Sequence, residues 1–291
     1  MGMVLKLKSR RRKSKARWSR RFAGVASAVV LGASSLGAAK TALSAGESGI
    51  AASVLDGDTL YLTDGLKVRL SGIQAPKLPL GRKGFKAWPM GEEAKAALTA
   101  LTRNRRVQLF YGGKQRDRYG RALAQVYTVN ARGDKDLWIQ EEMIRLGLAR
   151  VYTWPDTWPH KPQDSEPLFA AERAARASKR GIWGDPYYAV RSPDPNMLAQ
   201  DVDSFQLVEG IITSTADVRG TVYLNFGADY KTDFTIVVAK KNRQSLVRAG
   251  LDPLDLEGAR VRIRGWVELK NGPMIWWDDP NRLEILDGES S

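Results

Sequence analysis

Apolar and polar residues alternate in short runs between Ile50 and Tyr188, and the runs are broken by segments in which apolar residues recur every three or four positions. Ala52 to Asp56, Thr59 to Thr63 and Lys67 to Ile73 have the period of two expected of half-buried strands. Asp-Gly pairs at Asp56-Gly57 and Asp64-Gly65 predict tight turns between them. Glu92 to Thr102 carries Ala94, Ala97, Leu98 and Leu101 on one helical face. Arg106 to Tyr111 and Ala122 to Thr128 read as further strands. Asp136 to Leu146 reads as a helix stopped by Gly147, and Leu168 to Arg180 as another ended by Gly181. This pattern predicts a small barrel capped by helices.

A second strand-rich region follows. Residues 189–203 are polar and Pro-rich, as in a linker. Gln206 to Thr213, Thr221 to Phe226, Asp233 to Val238, Arg260 to Val267 and Arg282 to Leu286 then alternate again, with a short helix at Gln244 to Ala249. Five strands in about 80 residues suit a second, OB-like barrel. The aromatics Tyr223, Phe226, Trp266, Trp276 and Trp277 are expected to fill its core; the alternative is that they stack on bases. The fold class expected is α+β with two β-barrels, at 50–188 and 204–287.

Composition narrows the chemistry. The 291 residues include no cysteine, which excludes disulfides and thiolate metal sites. The one histidine, His160, lies between prolines in the run from Trp154 to Pro162 and reads as exposed surface. The net charge of +14 suggests a polyanion partner until it is mapped. Residues 1–45 hold eleven Lys and Arg and no acid, so only +3 remains for residues 46–291. A basic start to Arg21, an uncharged stretch from Phe22 to Ala39 and small residues at Gly37-Ala38-Ala39 or Leu43-Ser44-Ala45 have the order of an export segment. It reads either as a cleaved signal peptide or as a retained transmembrane anchor, which would put the rest of the chain outside the cytoplasm, in a periplasmic or extracellular setting.

The candidate chemistry lies at the strand ends. Asp58 begins a strand behind the Asp56-Gly57 turn, Arg69 lies on the next strand, and Gln74 to Lys77 form the loop beyond it. Arg121 follows the turn Arg118-Tyr119-Gly120. Arginines so placed offer planar paired donors that suit a phosphate. Arg82 and Lys83 extend the positive charge.

The runs Val54 to Leu60, Val68 to Pro76, Asp117 to Ala124, Leu146 to Val151 and Gly181 to Trp183, in this order and spacing, make residues 50–185 resemble the staphylococcal nuclease-like (thermonuclease) family. The resemblance implies a five-stranded OB-type barrel with three helices. It also implies hydrolysis of DNA and RNA with calcium, two carboxylate ligands, a glutamate base and two arginines. On this chain Asp58 matches the first metal-binding aspartate, and Arg69 and Arg121 match the two phosphate-gripping arginines. Gln74 stands where the family has its second metal-binding aspartate, Ala75 where it has a threonine, and Lys77 where it has the glutamate base.

Calcium takes six to eight oxygen ligands, with affinity tuned by their charge, and a protonated lysine cannot abstract a proton. The expected function is therefore binding of nucleic acid or another phosphate-bearing anion at a catalytically impaired site. The alternatives are an active metal-dependent nuclease and a cell-envelope scaffold for other proteins. Activity would require Lys77 to lose its proton or Glu92 or Glu93 to act as base or ligand; those glutamates also suit the first turn of a helix.

Overall fold

The computed structural model describes residues 43–153 and 162–286. The export reading of residues 1–45, apart from its last three residues, and the reading of His160 fall outside them. Among the described residues no helix is long and apolar enough to cross a membrane.

The N-terminal part is built from strands β1 (Ser44–Asp56), β2 (Thr59–Leu62), β3 (Lys67–Leu70) and β4 (Gly72–Gln74), helix α1 (Gly91–Thr102), then β5 (Arg106–Tyr111), β6 (Ala122–Val129) and β7 (Lys135–Trp138). Helix α2 (Ile139–Arg145), β8 (Arg150–Tyr152) and α3 (Pro162–Ala177) complete it. The strand order is β3-β2-β1-β5-β6-β7, and β3 also pairs with β6 in parallel, so five strands close into a ring and β7 extends it. Strand β1 serves two neighbours, β2 and β5, and its pairing slips at Ala51/Ser53, Val54/Asp56 and Ala45/Ser48. Such bulges bend and twist a strand enough to take part in a closed sheet. Leu60, Val68, Leu70, Leu109 and Val126 form one buried core with Leu98 of α1, Met143 and Ile144 of α2 and Leu168 of α3.

Two expectations are corrected here. Asp136 does not begin a helix: Lys135–Trp138 pairs with β6, and α2 starts only at Ile139. The cause is the turn before it, where the Asn130 side chain accepts from the backbone N–H groups of Arg132 and Asp134 and folds the chain back as a hairpin. Helix α3 begins at Pro162, six residues ahead of Leu168, with proline in its first turn, where its missing N–H costs nothing. Gly147 and Gly181 meet backbone to backbone, both with positive φ, and a Cβ on either would lie 2.2 Å from a carbonyl oxygen of the partner pair. That contact joins the end of α2 to the end of α3.

Residues 189–203 carry a short helix α4 (Pro195–Leu198), capped by the Asp194 carboxylate, and Leu198 is buried in the next core. The C-terminal part comprises β9 (Phe205–Ile211), β10 (Ser214–Val218), β11 (Thr221–Asn225), β12 (Thr235–Val238), α5 (Lys240–Arg248), β13 (Arg260–Trp266), β14 (Glu268–Leu269), β15 (Pro273–Trp276) and β16 (Leu283–Ile285). In place of five strands the described residues form eight, in two sheets ordered β10-β11-β12-β15-β14 and β16-β13-β9. Val208, Leu224, Ile236, Ile263, Ile275 and Trp277 share one core between them. Helix α5 starts at Lys240, four residues before Gln244.

The two parts belong to one compact unit. Phe205 and Leu207 of β9 pack on Tyr152 of β8. Arg264 of β13 crosses to the N-terminal part and donates to the Val151 carbonyl, with ion pairs to Glu172 of α3 at 2.8 Å and Glu284 of β16 at 2.5 Å. Burial alone would lower the Arg264 pKa, but the two carboxylates outweigh it and hold the guanidinium above its usual value. Ser165 donates to Asn281 across the same junction.

Candidate functional site

Asp58, which matches the first metal-binding aspartate, is fully buried. Gly57 lies so close to Ala75 and Ala94 that a Cβ there would come within 2.6 Å of each, and this close approach seals the turn beneath α1. The register of β2 with β3 sets Thr59 opposite Arg69, and Arg69 Nη1 lies 2.5 Å from Asp58 Oδ1. The loop after β4 returns to place Lys77 Nζ 2.5 Å from Asp58 Oδ2, which also accepts the Ala75 N–H at 2.9 Å. Asp56 Oδ2 stands 3.7 Å from the same ammonium. Asp58 is therefore the shared counter-ion of an arginine and a lysine.

The charges are tuned to one another. Burial would push the Asp58 carboxyl up, but Arg69, Lys77 and the Ala75 N–H outweigh it and hold it far below the usual carboxylate range. Lys77 is held below the ordinary lysine range, first by burial and then by Arg69, against the pull of Asp58 and Asp56. Asp56 is raised, first by burial and then by Asp58. Because the folded-state pKa of Asp58 is depressed, its stabilising charge is complete above about pH 4 and is lost as pH falls toward the folded value. Asp58→Asn is expected to cost on the order of 3 kcal/mol near neutral pH by leaving Lys77 and Arg69 without their partner. That gap should narrow steadily below about pH 4. Urea midpoints of the two proteins at pH 7, 5 and 3 measure it, and a constant gap would count against the ion triad.

Gln74 faces away from Asp58. The β4–β8 ladder sets it opposite Arg150, which is buried and donates to Gln74 Oε1 through Nε at 3.0 Å and Nη2 at 2.7 Å. Burial brings the Arg150 guanidinium down to about 10. Phe205 from the C-terminal part lies against that guanidinium, 4.8 Å from its ring centre. Arg121 projects from a turn built by Asp117, whose carboxylate accepts the N–H groups of Tyr119 and Arg121 and pairs with Arg121 Nε at 2.6 Å.

Several of these groups, though neither Asp58 nor Arg150, line a cleft of about 1030 Å³. Asp56, Arg69, Gln74, Lys77, Arg82 and Arg121 line it, whereas Lys83, Glu92 and Glu93 do not; the two glutamates are exposed in the first turn of α1. Arg150, which holds Gln74, and Asp117, which pins Arg121, escaped the sequence reading. The motifs contained both, but their roles depend on pairings made only in the folded chain.

The matching family model, staphylococcal nuclease homologue, covers residues 67–185. An Escherichia coli protein named "Uncharacterized endonuclease" is 33% identical over 135 residues, which are 45% of this chain and 74% of that protein. The chain belongs to the staphylococcal nuclease family. A Pyrenophora tritici-repentis protein named "Probable endonuclease lcl3" is 38% identical over 121 residues, 42% of each chain. The "Thermonuclease" of Staphylococcus hyicus is 28% identical over 135 residues, 45% of this chain and 73% of that one. The chain spans about two fifths of the length of the fungal relatives it matches.

The calcium implied by this family does not fit the residues present. Both oxygens of Asp58 are engaged by cations, and Gln74 Oε1 is engaged by Arg150. Among the described residues no three His, Cys, Asp or Glu side chains cluster as metal ligands. The arrangement instead offers Lys77 and Arg69 as fixed positive charges beside Arg121.

Proposed function

We propose that this staphylococcal nuclease family member binds nucleic acid through its phosphates at Arg69, Lys77 and Arg121, without metal and without cutting the chain. The observation that carries this reading is the Lys77 ammonium 2.5 Å from Asp58 Oδ2, a tethered cation where a divalent ion would need that oxygen. Arg121 supports it, since its terminal nitrogens make no hydrogen bond among the described residues and lie at the cleft wall. The C-terminal part, taken as an OB-like barrel in a domain distinct from residues 50–188, would be a second binding module. Export rests on the sequence of residues 1–45. Of its two cleavage sites the reading favours Gly37-Ala38-Ala39, because Ser44 and Ala45 pair with Tyr111 and Phe110 in β1.

A second reading, an active nuclease like the relatives named endonuclease, draws on Asp56. It is buried at the cleft, its pKa is raised, and it could accept a proton in place of Lys77. The test is incubation of the full chain with single-stranded DNA and RNA, with calcium and with chelator. The expected result is binding that weakens steeply with salt, is indifferent to calcium and weakens by roughly tenfold or more in Arg121→Ala, with the strands left intact. Calcium-dependent cleavage abolished by Arg121→Ala would overturn the proposal. Cleavage without metal, lost in Asp56→Asn, would establish the second reading. No binding and no cleavage would leave the envelope scaffold.

A further inference from the structure

We infer that the C-terminal part completes the cleft as a base-stacking wall, with Trp266 as the platform, so that the ligand is a single-stranded nucleic acid. This deepens the phosphate-binding reading above and rests on it. Trp266 ends β13, directly opposite Phe205, and is 43% exposed. Trp277 is fully buried and Phe226 packs against the core, and of the aromatics in this region only Trp266 is among the residues lining the cleft. Trp266 lines the same cleft as Arg69, Lys77 and Arg121. Its indole N–H donates to the Tyr152 hydroxyl at 2.9 Å, which fixes the ring and satisfies its only polar group. What remains toward the cleft is an oriented apolar ring.

A second exposed ring lines the same cleft. Tyr119 is 68% exposed, with the guanidinium groups of Arg118 and Arg121 over its ring at 4.8 and 5.6 Å. Seven Lys and Arg against three Asp line the cleft. Since residues 46–291 carry only +3 in all, this excess is local to the cleft. Cations that track a phosphate backbone, flanked by aromatic rings, are the elements of a site for unpaired strands, because a base can stack on protein only when its face is free. A duplex hides those faces.

The test uses the full chain and two probes of equal length and charge, a labelled thymidine dodecamer and its abasic counterpart, read by fluorescence anisotropy at fixed salt. The wild type is expected to bind the thymidine strand more tightly than the abasic one. Trp266→Ala should weaken the thymidine strand by roughly five- to a hundredfold and leave the abasic strand unchanged. Trp266→Phe, which keeps a ring, should recover most of the loss. Tyr152→Phe removes the hydrogen bond but keeps both rings, so it should have a smaller effect than Trp266→Ala. If Trp266→Ala weakens both probes equally, or neither, the stacking wall is wrong while phosphate binding stands. If the wild type binds neither probe, the phosphate reading fails and this inference with it.

Discussion

Lys77→Glu is expected to convert the cleft from a fixed-cation site to a calcium-responsive one. The substitution removes the ammonium from Asp58 Oδ2 and sets a third carboxylate beside Asp58 and Asp56, both of which are buried. Without metal, three like charges facing Arg69 alone should raise the Asp58 pKa and lower stability near neutral pH. Calcium supplies the missing charge and accepts hard oxygen ligands, so it should bind and restore stability in proportion to RT ln(1 + [Ca²⁺]/Kd). A carboxylate at position 77 is also a competent base at neutral pH, and a placed general base is worth on the order of 10² to 10⁴ in rate. Calcium-dependent cleavage of single-stranded DNA should rise over the wild type by about that factor. Calorimetric titration with calcium, thermal unfolding and a cleavage assay read the three effects. Lys77→Met, which removes charge and adds no oxygen, should lose stability that calcium does not restore. Equal calcium binding by the wild type and Lys77→Glu would show that the ammonium does not stand in for the metal.

The largest loss of stability is expected at Arg264, which does not line the cleft. Its guanidinium is essentially buried, as is Glu172, and Arg264 spans the junction to Val151, Glu172 and Glu284. Arg264→Ala removes the buried cation between Glu172 and Glu284 and leaves them only the longer pairs with Arg176 and Arg262, at 3.5 to 4.0 Å. Removing one partner of a buried pair in this way costs about 3–5 kcal/mol. Replacing Arg264, Glu172 and Glu284 together with apolar residues of similar size removes the carboxylates with their central cation but takes both acids from Arg176, so it should recover only part of the loss. Chemical denaturation of the single and triple variants separates the cost of an unpaired charge from the worth of the network. Val151 sits next to Arg150, which holds Gln74, so loosening the junction should also weaken phosphate binding at the cleft. If Arg264→Ala unfolds at the wild-type midpoint, the two parts are not held together by this network.

Much of the barrel was legible because each strand buries one face. The alternation in Lys67 to Leu70 and Arg106 to Tyr111 is a direct record of that burial. The elements that escaped lack the record. Ser214–Val218 is a largely exposed edge strand of mostly polar residues, and Pro273–Trp276 is nearly all buried, so neither alternates. Lys135–Trp138 and the helix after it formed one apolar pattern that suited a helix. The hairpin turn at Asn130, rather than propensity, turns Lys135–Trp138 back onto β6 as a strand.

The site divides along the same line. By itself the sequence determined the family, the closed N-terminal ring, and the residues Asp58, Arg69, Lys77 and Arg121 at its strand ends, because turn chemistry and strand period are local properties of the chain. Only the tertiary structure decided that Asp58 is sealed between two cations, that Gln74 belongs to Arg150, and that Trp266 faces the same cleft as Arg121. Each of these depends on residues 11 to 145 positions apart being brought together. Charge pairing and burial fall off within a few ångströms, and such distances are fixed by strand register and by the packing of one core on the other.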